Sequence, residues 1–94
     1  MPKLLFNSNP QLSLGVEIEI QLVDSITGDL KPVAPAVISS VEHNPGAQHI
    51  KSELFQSMVE IDTPICKTAQ EVGESLRYSL NCVRKAAFHQ GAEV

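Results

Sequence analysis

An α+β domain, built as an antiparallel sheet with helices on one face, is what this chain predicts, and three observations predict it. Leu14, Val16, Ile18, Ile20 and Leu22 alternate with Gly15, Glu17, Glu19 and Gln21, the period-two signature of a strand with one apolar and one polar face. Farther on, Ala69, Val72, Leu76, Leu80, Val83 and Ala87 recur at spacings of three and four, which puts one apolar stripe along a helix. Between these stretches, prolines and turn formers divide the chain into short pieces in the order β-β-α-β-α, with no internal repeat and no linker. Layering the helices on the apolar side of the sheet buries both.

Taken in order, residues 1–12 carry Pro2, Pro10, Asn7 and Asn9 and read as a lead-in segment. The strand is expected over 13–24. Asp24-Ser25-Ile26-Thr27-Gly28-Asp29 is rich in turn formers, with Gly28 free to take positive φ. Leu30 to Val33 then reads as a short returning strand, held to an edge by Pro32, which lacks an N–H to donate. Pro35 suits the first turn of a short helix over 35–43, with Val37, Ile38 and Val41 inward and Asn44-Pro45-Gly46 as its stop. A second long strand is expected from His49 to Asp62. Its apolar residues fall on both parities, as in a strand covered on both sides or reset by a bulge. Thr63-Pro64 closes it. Thr68 caps the helix over 69–90, with Glu71 completing a capping box, Lys85 and His89 complementing the dipole and Gly91 as terminator.

Ninety-four residues amount to one domain at most, and residues 1–94 read as a single partial domain. Aromatic residues are only 4% and Trp is absent, so the core must be aliphatic. A formal charge of −4 argues against non-specific nucleic-acid binding, which needs a basic footprint. No apolar run approaches the roughly 20 residues of a membrane span, and the N-terminus does not read as a signal peptide, so a cytoplasmic protein without a membrane partner is expected. Cys66 and Cys82 are then two reduced thiols, Cys66 packed and Cys82 half-buried on the helix. His43, His49 and His89 have no metal-ligand spacing, and Lys51 and Ser52 are within the range of residues that touch phosphate without anything requiring it. No phosphate-cradling Gly-rich loop, nucleophile elbow or Cys-x-x-Cys is present, and no nucleophile or acid–base residue is singled out as catalytic.

The acidic side chains carry the chemistry. Glu17 and Glu19 sit on one strand face with Cα atoms ~6.6–6.8 Å apart. Such a pair is more commonly a solvated face. Its other use is to bind a hard divalent cation, which takes carboxylate oxygens and relieves their mutual repulsion. Glu53 and Glu60 flank Leu-Phe-Gln-Ser-Met-Val on the second strand, with Gln56 between them. Pairing of the two strands would gather four carboxylates, and two Mg²⁺ ions ~3.5–4 Å apart would fit among them. One obstacle stands in the way: an odd separation of Glu53 and Glu60 aims them at opposite faces of a regular strand. A bulge near Ser57, or Glu53 lying before regular pairing begins, would remove it.

Ser13-Leu14-Gly15-Val16-Glu17-Ile18-Glu19, Leu22-Val23-Asp24 and Thr27-Gly28-Asp29-Leu30, followed by Glu53-Leu54-Phe55-Gln56-Ser57-Met58-Val59-Glu60 and Thr63-Pro64-Ile65-Cys66, resemble the opening of the glutamate–cysteine ligase type 2, or carboxylate–amine ligase, family. The resemblance implies the N-terminal part of a glutamine-synthetase-like ligase fold, in which an antiparallel sheet lines a funnel for ATP and divalent metal. It implies ATP-dependent joining of a small-molecule carboxylate, typically the γ-carboxylate of glutamate, to an amine such as that of cysteine through an acyl phosphate, a step of glutathione biosynthesis. Carried over by position, Glu17, Glu19, Glu53 and Glu60 match metal-binding acids for Mg²⁺ or Mn²⁺, and Gln56 and Thr63 match positions near the substrate. Ile18 stands where the family often has a third acid; on a strand it faces the core instead. Family members run to several hundred residues, so this chain corresponds to their first quarter and is expected to be inactive alone. The competing reading is a non-catalytic α+β module or fragment that self-associates through exposed sheet edges.

Overall fold

The computed structural model describes residues 5–6, 14–53 and 55–94. Most of the expected lead-in segment, and Leu54, lie outside the described residues. Of the strand expected over 13–24, Ser13 lies outside the described residues, and 14–24 is one extended run that changes partner twice. Strand β1 (Leu5–Phe6) pairs antiparallel with β2 (Leu14–Gly15), β3 (Glu17–Gln21) lies in a separate ladder, and β4 (Val23–Asp24) opens a third. The changes fall where backbone groups turn to new partners. Val16 gives its C=O to the Thr63 N–H at 3.0 Å and its own N–H to Thr63 Oγ1 at 3.1 Å. At the other end Leu22 donates its N–H to Ser57 O at 2.7 Å and accepts from Lys31 N at 2.8 Å.

The turn after β4 forms as expected: Asp24 Oδ1 accepts from the Ile26 and Thr27 amides at 2.8 and 3.0 Å, and Gly28 takes φ 77°. The returning strand over 30–33 does not form. Only a single bridge, Leu30 opposite Val23, survives, because Pro32 has no N–H with which to continue a ladder. The ladder partner of β4 is β7 (Ala92–Glu93), which follows the long helix and lies on the other side of β4 from Leu30.

The second long strand is also corrected. Residues 49–62 form a hairpin: Ala47–His49 is a short 3₁₀ turn, β5 spans Ile50–Ser52, and β6 spans Met58–Asp62. The three-stranded sheet has the order β3-β6-β5, all antiparallel, with Ile61 opposite both Ile18 and Ile50 and Val59 opposite both Ile20 and Ser52. Directly opposed residues of an antiparallel pair share a face. One face of the sheet is therefore Ile18, Ile20, Ile50, Val59 and Ile61, and apolar residues on both parities of 49–62 reflect the reversal of direction within the hairpin.

Helix α1 spans Ala34–Val41, with Pro35 in its first turn and the Ala34 N–H satisfied by Gln56 O at 2.8 Å. Helix α2 spans Ala69–His89. Thr68 Oγ1 accepts from Glu71 N at 3.1 Å, and the Glu71 carboxylate reaches back one residue farther than a capping box requires, to Lys67 N at 2.7 Å. Gly91, at φ 70°, follows the helix end. Of the expected α2 stripe, Val72, Val83 and Ala87 are buried and Leu76 and Leu80 half-buried, while Ala69, in the first turn, is exposed and Ala86 and Ser79 face inward. Both helices pack on the apolar face: Val37 and Val41 of α1 and Val83, Ala86 and Ala87 of α2 share a core with Ile20, Leu22, Ile50, Val59 and Ile61. A smaller cluster of Val16, Cys66 and Val72 joins it through Ile18 and Leu76. Among the described residues no helix is long and apolar enough to cross a membrane.

Candidate functional site

The face opposite the helices is acidic, and its register can be read directly. Glu17 lies opposite Asp62, Glu19 opposite Glu60, Gln21 opposite Met58, and Lys51 opposite Glu60 on its other side. Alternation along β5 carries Glu53 to the same face as Lys51. The hairpin thus settles the odd spacing of Glu53 and Glu60 without a bulge. In a hairpin, same-face partners on the two strands have opposite parity when the register pairs Ser52 with Val59.

Glu17, Glu19 and Gln21 are exposed, whereas Glu53, Glu60 and Asp62 are half-buried. Glu60 titrates above the ordinary glutamate range because its carboxyl shares a hydrogen bond with that of Glu53; burial and the Glu53 charge push the same way, against the pull of Lys51.

Asp62 has a different role. Its two oxygens are both engaged, Oδ1 by His49 Nδ1 and Oδ2 by Lys51 Nζ, each at 2.6 Å. Burial works to raise its pKa, but the hydrogen bonds from Lys51 and His49 outweigh it and hold the carboxyl below the usual aspartate range. Lys51 is pushed above the ordinary lysine range by the Asp62 hydrogen bond and charge, with Glu60 and Glu17 adding to it. Sequence reasoning missed this trio. Asp62 and His49 are 13 residues apart, and only the hairpin brings them together.

The other sequence candidates are placed as follows. Gln56 sits exposed in the turn between β5 and β6 and contributes its backbone carbonyl to the start of α1. Thr63, half-buried, extends the β3 ladder by one side-chain hydrogen bond to Val16 N. Cys66 is buried, donates to Pro64 O at 3.2 Å and has its pKa raised by burial, as a packing thiol should; Cys82 is half-buried, and neither forms a disulfide. Beside the acidic row an open hollow of about 590 Å³ is lined by Glu19, Gln21, Met58 and Val94 among others.

A hard divalent cation suits this donor set of carboxylate oxygens. Among the described residues no group of three or more His, Cys, Asp and Glu side chains is drawn together tightly enough to hold a metal on its own. Mg²⁺ does not require that, because it keeps several waters and binds through one or two carboxylates plus phosphate oxygens.

Comparison with known proteins identifies the family. The model of glutamate-cysteine ligase family 2 matches residues 13–94. A protein of Bdellovibrio bacteriovorus named "Putative glutamate--cysteine ligase 2" is 46% identical over 67 residues, covering 71% of this chain and 17% of its own length. Proteins of the same name from Gloeobacter violaceus and Corynebacterium glutamicum are 36% and 38% identical, each covering 92% of this chain and 23% of their own lengths. The chain thus spans about a fifth of the length of the curated relatives it matches, and the matched region contains every element from β2 to β7. The chain belongs to glutamate-cysteine ligase family 2.

Proposed function

We propose that this segment is the metal-binding N-terminal portion of an ATP-dependent carboxylate–amine ligase of glutamate–cysteine ligase type. The observation that carries the reading is the register of β3 on β6, which sets Glu17, Glu19 and Glu60 on one face with Glu53 against Glu60. Family membership supports it, and so does the division of the sheet into one face closed by helices and one left acidic.

In this reading Glu17, Glu19, Glu53 and Glu60 hold Mg²⁺ or Mn²⁺. When bound, the metal neutralises phosphate charge as the γ-phosphoryl group passes to a substrate carboxylate. Attack of an amine on the resulting acyl phosphate would form the amide C–N bond, break the bond to phosphate and release inorganic phosphate and the amine's proton. The chain's own residues supply placement. The aliphatic face and its helices fix the β3 backbone, so the glutamates project at set intervals. Gln56, beside the acidic strand ends, and Thr63, which pins Val16, have supporting roles near the substrate. Further ligands and the nucleotide contacts come from strands beyond the 94 residues.

Two measurements test this. Calorimetric titration of the chain with Mg²⁺ or Mn²⁺ gives weak binding that Glu17→Gln with Glu19→Gln removes; identical titrations for both proteins would sink the metal assignment. In a chain of the relatives' length carrying this segment, phosphate release from ATP requires both a carboxylate and an amine substrate, and Glu60→Gln lowers it at least tenfold. Release that ignores the amine would refute the ligase assignment.

A further inference from the structure

We infer that Lys51 is a positioning residue of the acidic face, a built-in counter-charge held by Asp62 that sets how tightly the face takes up a divalent cation. The inference rests on the metal reading above. Its basis is the geometry around one ammonium. Lys51 on β5 stands directly opposite Glu60 of β6, the middle residue of the row Lys51–Glu60–Glu19, and its Nζ reaches diagonally to Asp62 Oδ2 at 2.6 Å. Asp62 in turn lies opposite Glu17. The ammonium is therefore placed among Glu17, Glu60 and Asp62, and the electrostatic pull of the two glutamates is felt at Lys51.

Asp62 fixes this placement. Its second oxygen is taken by His49, and its side chain is only 16% exposed, so it offers no free oxygen to a metal. The fifth carboxylate of the face is thus committed to holding a cation of the protein's own. A lysine side chain left to itself samples many rotamers in water; one tied to a half-buried aspartate keeps its charge at a fixed point. That point is within range of the glutamates, so any divalent cation arriving there meets a positive charge already in place. Repulsion of a divalent ion by a fixed ammonium among the same carboxylates, through a dielectric close to that of water, would weaken binding about three- to tenfold. The consequence is a weak and exchangeable metal site, one suited to an ion that arrives with a phosphate ligand supplying the missing negative charge.

The test uses Mn²⁺ and the 94-residue chain at low ionic strength, with free Mn²⁺ followed by its paramagnetic resonance signal. Lys51→Met and Lys51→Gln are expected to bind Mn²⁺ three- to tenfold more tightly than the unaltered chain, and Lys51→Arg, which keeps the charge, to bind like it. Raising the salt concentration narrows the difference. The Lys51 side chain is 56% exposed, and circular dichroism melts confirm that each variant is folded. Equal or weaker binding by both neutral variants overturns the role of Lys51. If at the same time the unaltered chain binds Mn²⁺ and loses it on Glu17→Gln with Glu19→Gln, the metal face stands and Lys51 alone is excluded; if no protein binds Mn²⁺, both fall.

Discussion

The two faces of the β3-β6-β5 sheet are made by the same three strands and solve opposite problems. On one, Ile18, Ile20, Ile50, Val59 and Ile61 are covered by helices that the chain itself supplies, and Val59 and Ile61 are fully sealed from solvent. On the other, Glu17, Glu19, Glu53, Glu60 and Asp62 share a surface on which Lys51 and His49 are held by Asp62. The first face is finished by residues within the chain. The second has the right chemical groups but, among the described residues, no set drawn tight around a metal. Stability and chemistry are thus separated by a single residue step along each strand.

That separation can be broken from either side. The largest effect is expected on the apolar face. Ile61→Ala leaves a cavity between Ile18, Ile50 and the helices and should cost about 2–5 kcal/mol in denaturant unfolding, a large share of what a domain of this size possesses. A loss below 1 kcal/mol would mean that the core does not close as described.

A smaller effect comes from the boundary between the faces. Asp62 is ionised at lower pH in the fold than in the open chain, so in that window the unfolded state binds more protons. The stability this group contributes is present above its ordinary pKa and is lost as pH falls through the depressed one. Asp62→Asn should lower the melting temperature by about 5 °C at neutral pH, since Lys51 and His49 lose their charged partner, and should flatten the acid limb of the stability profile. Asp24, also held low, chiefly by the Thr27 and Ile26 amides, would leave part of that limb in place. An unchanged acid limb would assign acid sensitivity to other groups.

The smallest stability effect belongs to the acidic face. Glu17→Gln with Glu19→Gln should leave the melting temperature within about 2 °C, because both side chains are exposed. A loss comparable to that of Ile61→Ala would show that the acidic face supports the fold after all.

How much of this was legible in the sequence depends on the length of each pattern. The alternation over 14–22 names both faces of β3 at once, and the α2 stripe with its Thr68 cap is long enough to be unmistakable. The β5–β6 hairpin was hidden because its turn, around Phe55-Gln56-Ser57, contains no Gly, Pro or Asn to mark the reversal. In a single regular strand over 49–62 the parity of Glu53 and Glu60 opposes a shared face; in the hairpin it does not. Strand β7 covers two residues, too few for any periodicity. The Asp62 clamp on His49 and Lys51 depends on strand register, which no local pattern encodes. The shared face of Glu17, Glu19 and Glu60 follows from alternation and pairing, whereas the Lys51 and His49 contacts of Asp62 do not.

One consequence follows from the way the stretch 14–24 changes partners. Leu14 is tied to Cys66, Val16 to Thr63, Leu22 to Ser57 and Asp24 to Ala92, by contacts that belong to four different parts of the chain. Inserting or deleting one residue between Leu14 and Asp24 would turn Glu17 and Glu19 toward the helices and Ile18 and Ile20 toward water, and these anchors leave no slack to absorb the shift. Many substitutions on the outer row should be tolerated, whereas a change of length by a single codon triplet should not. For this segment, spacing is under tighter constraint than composition.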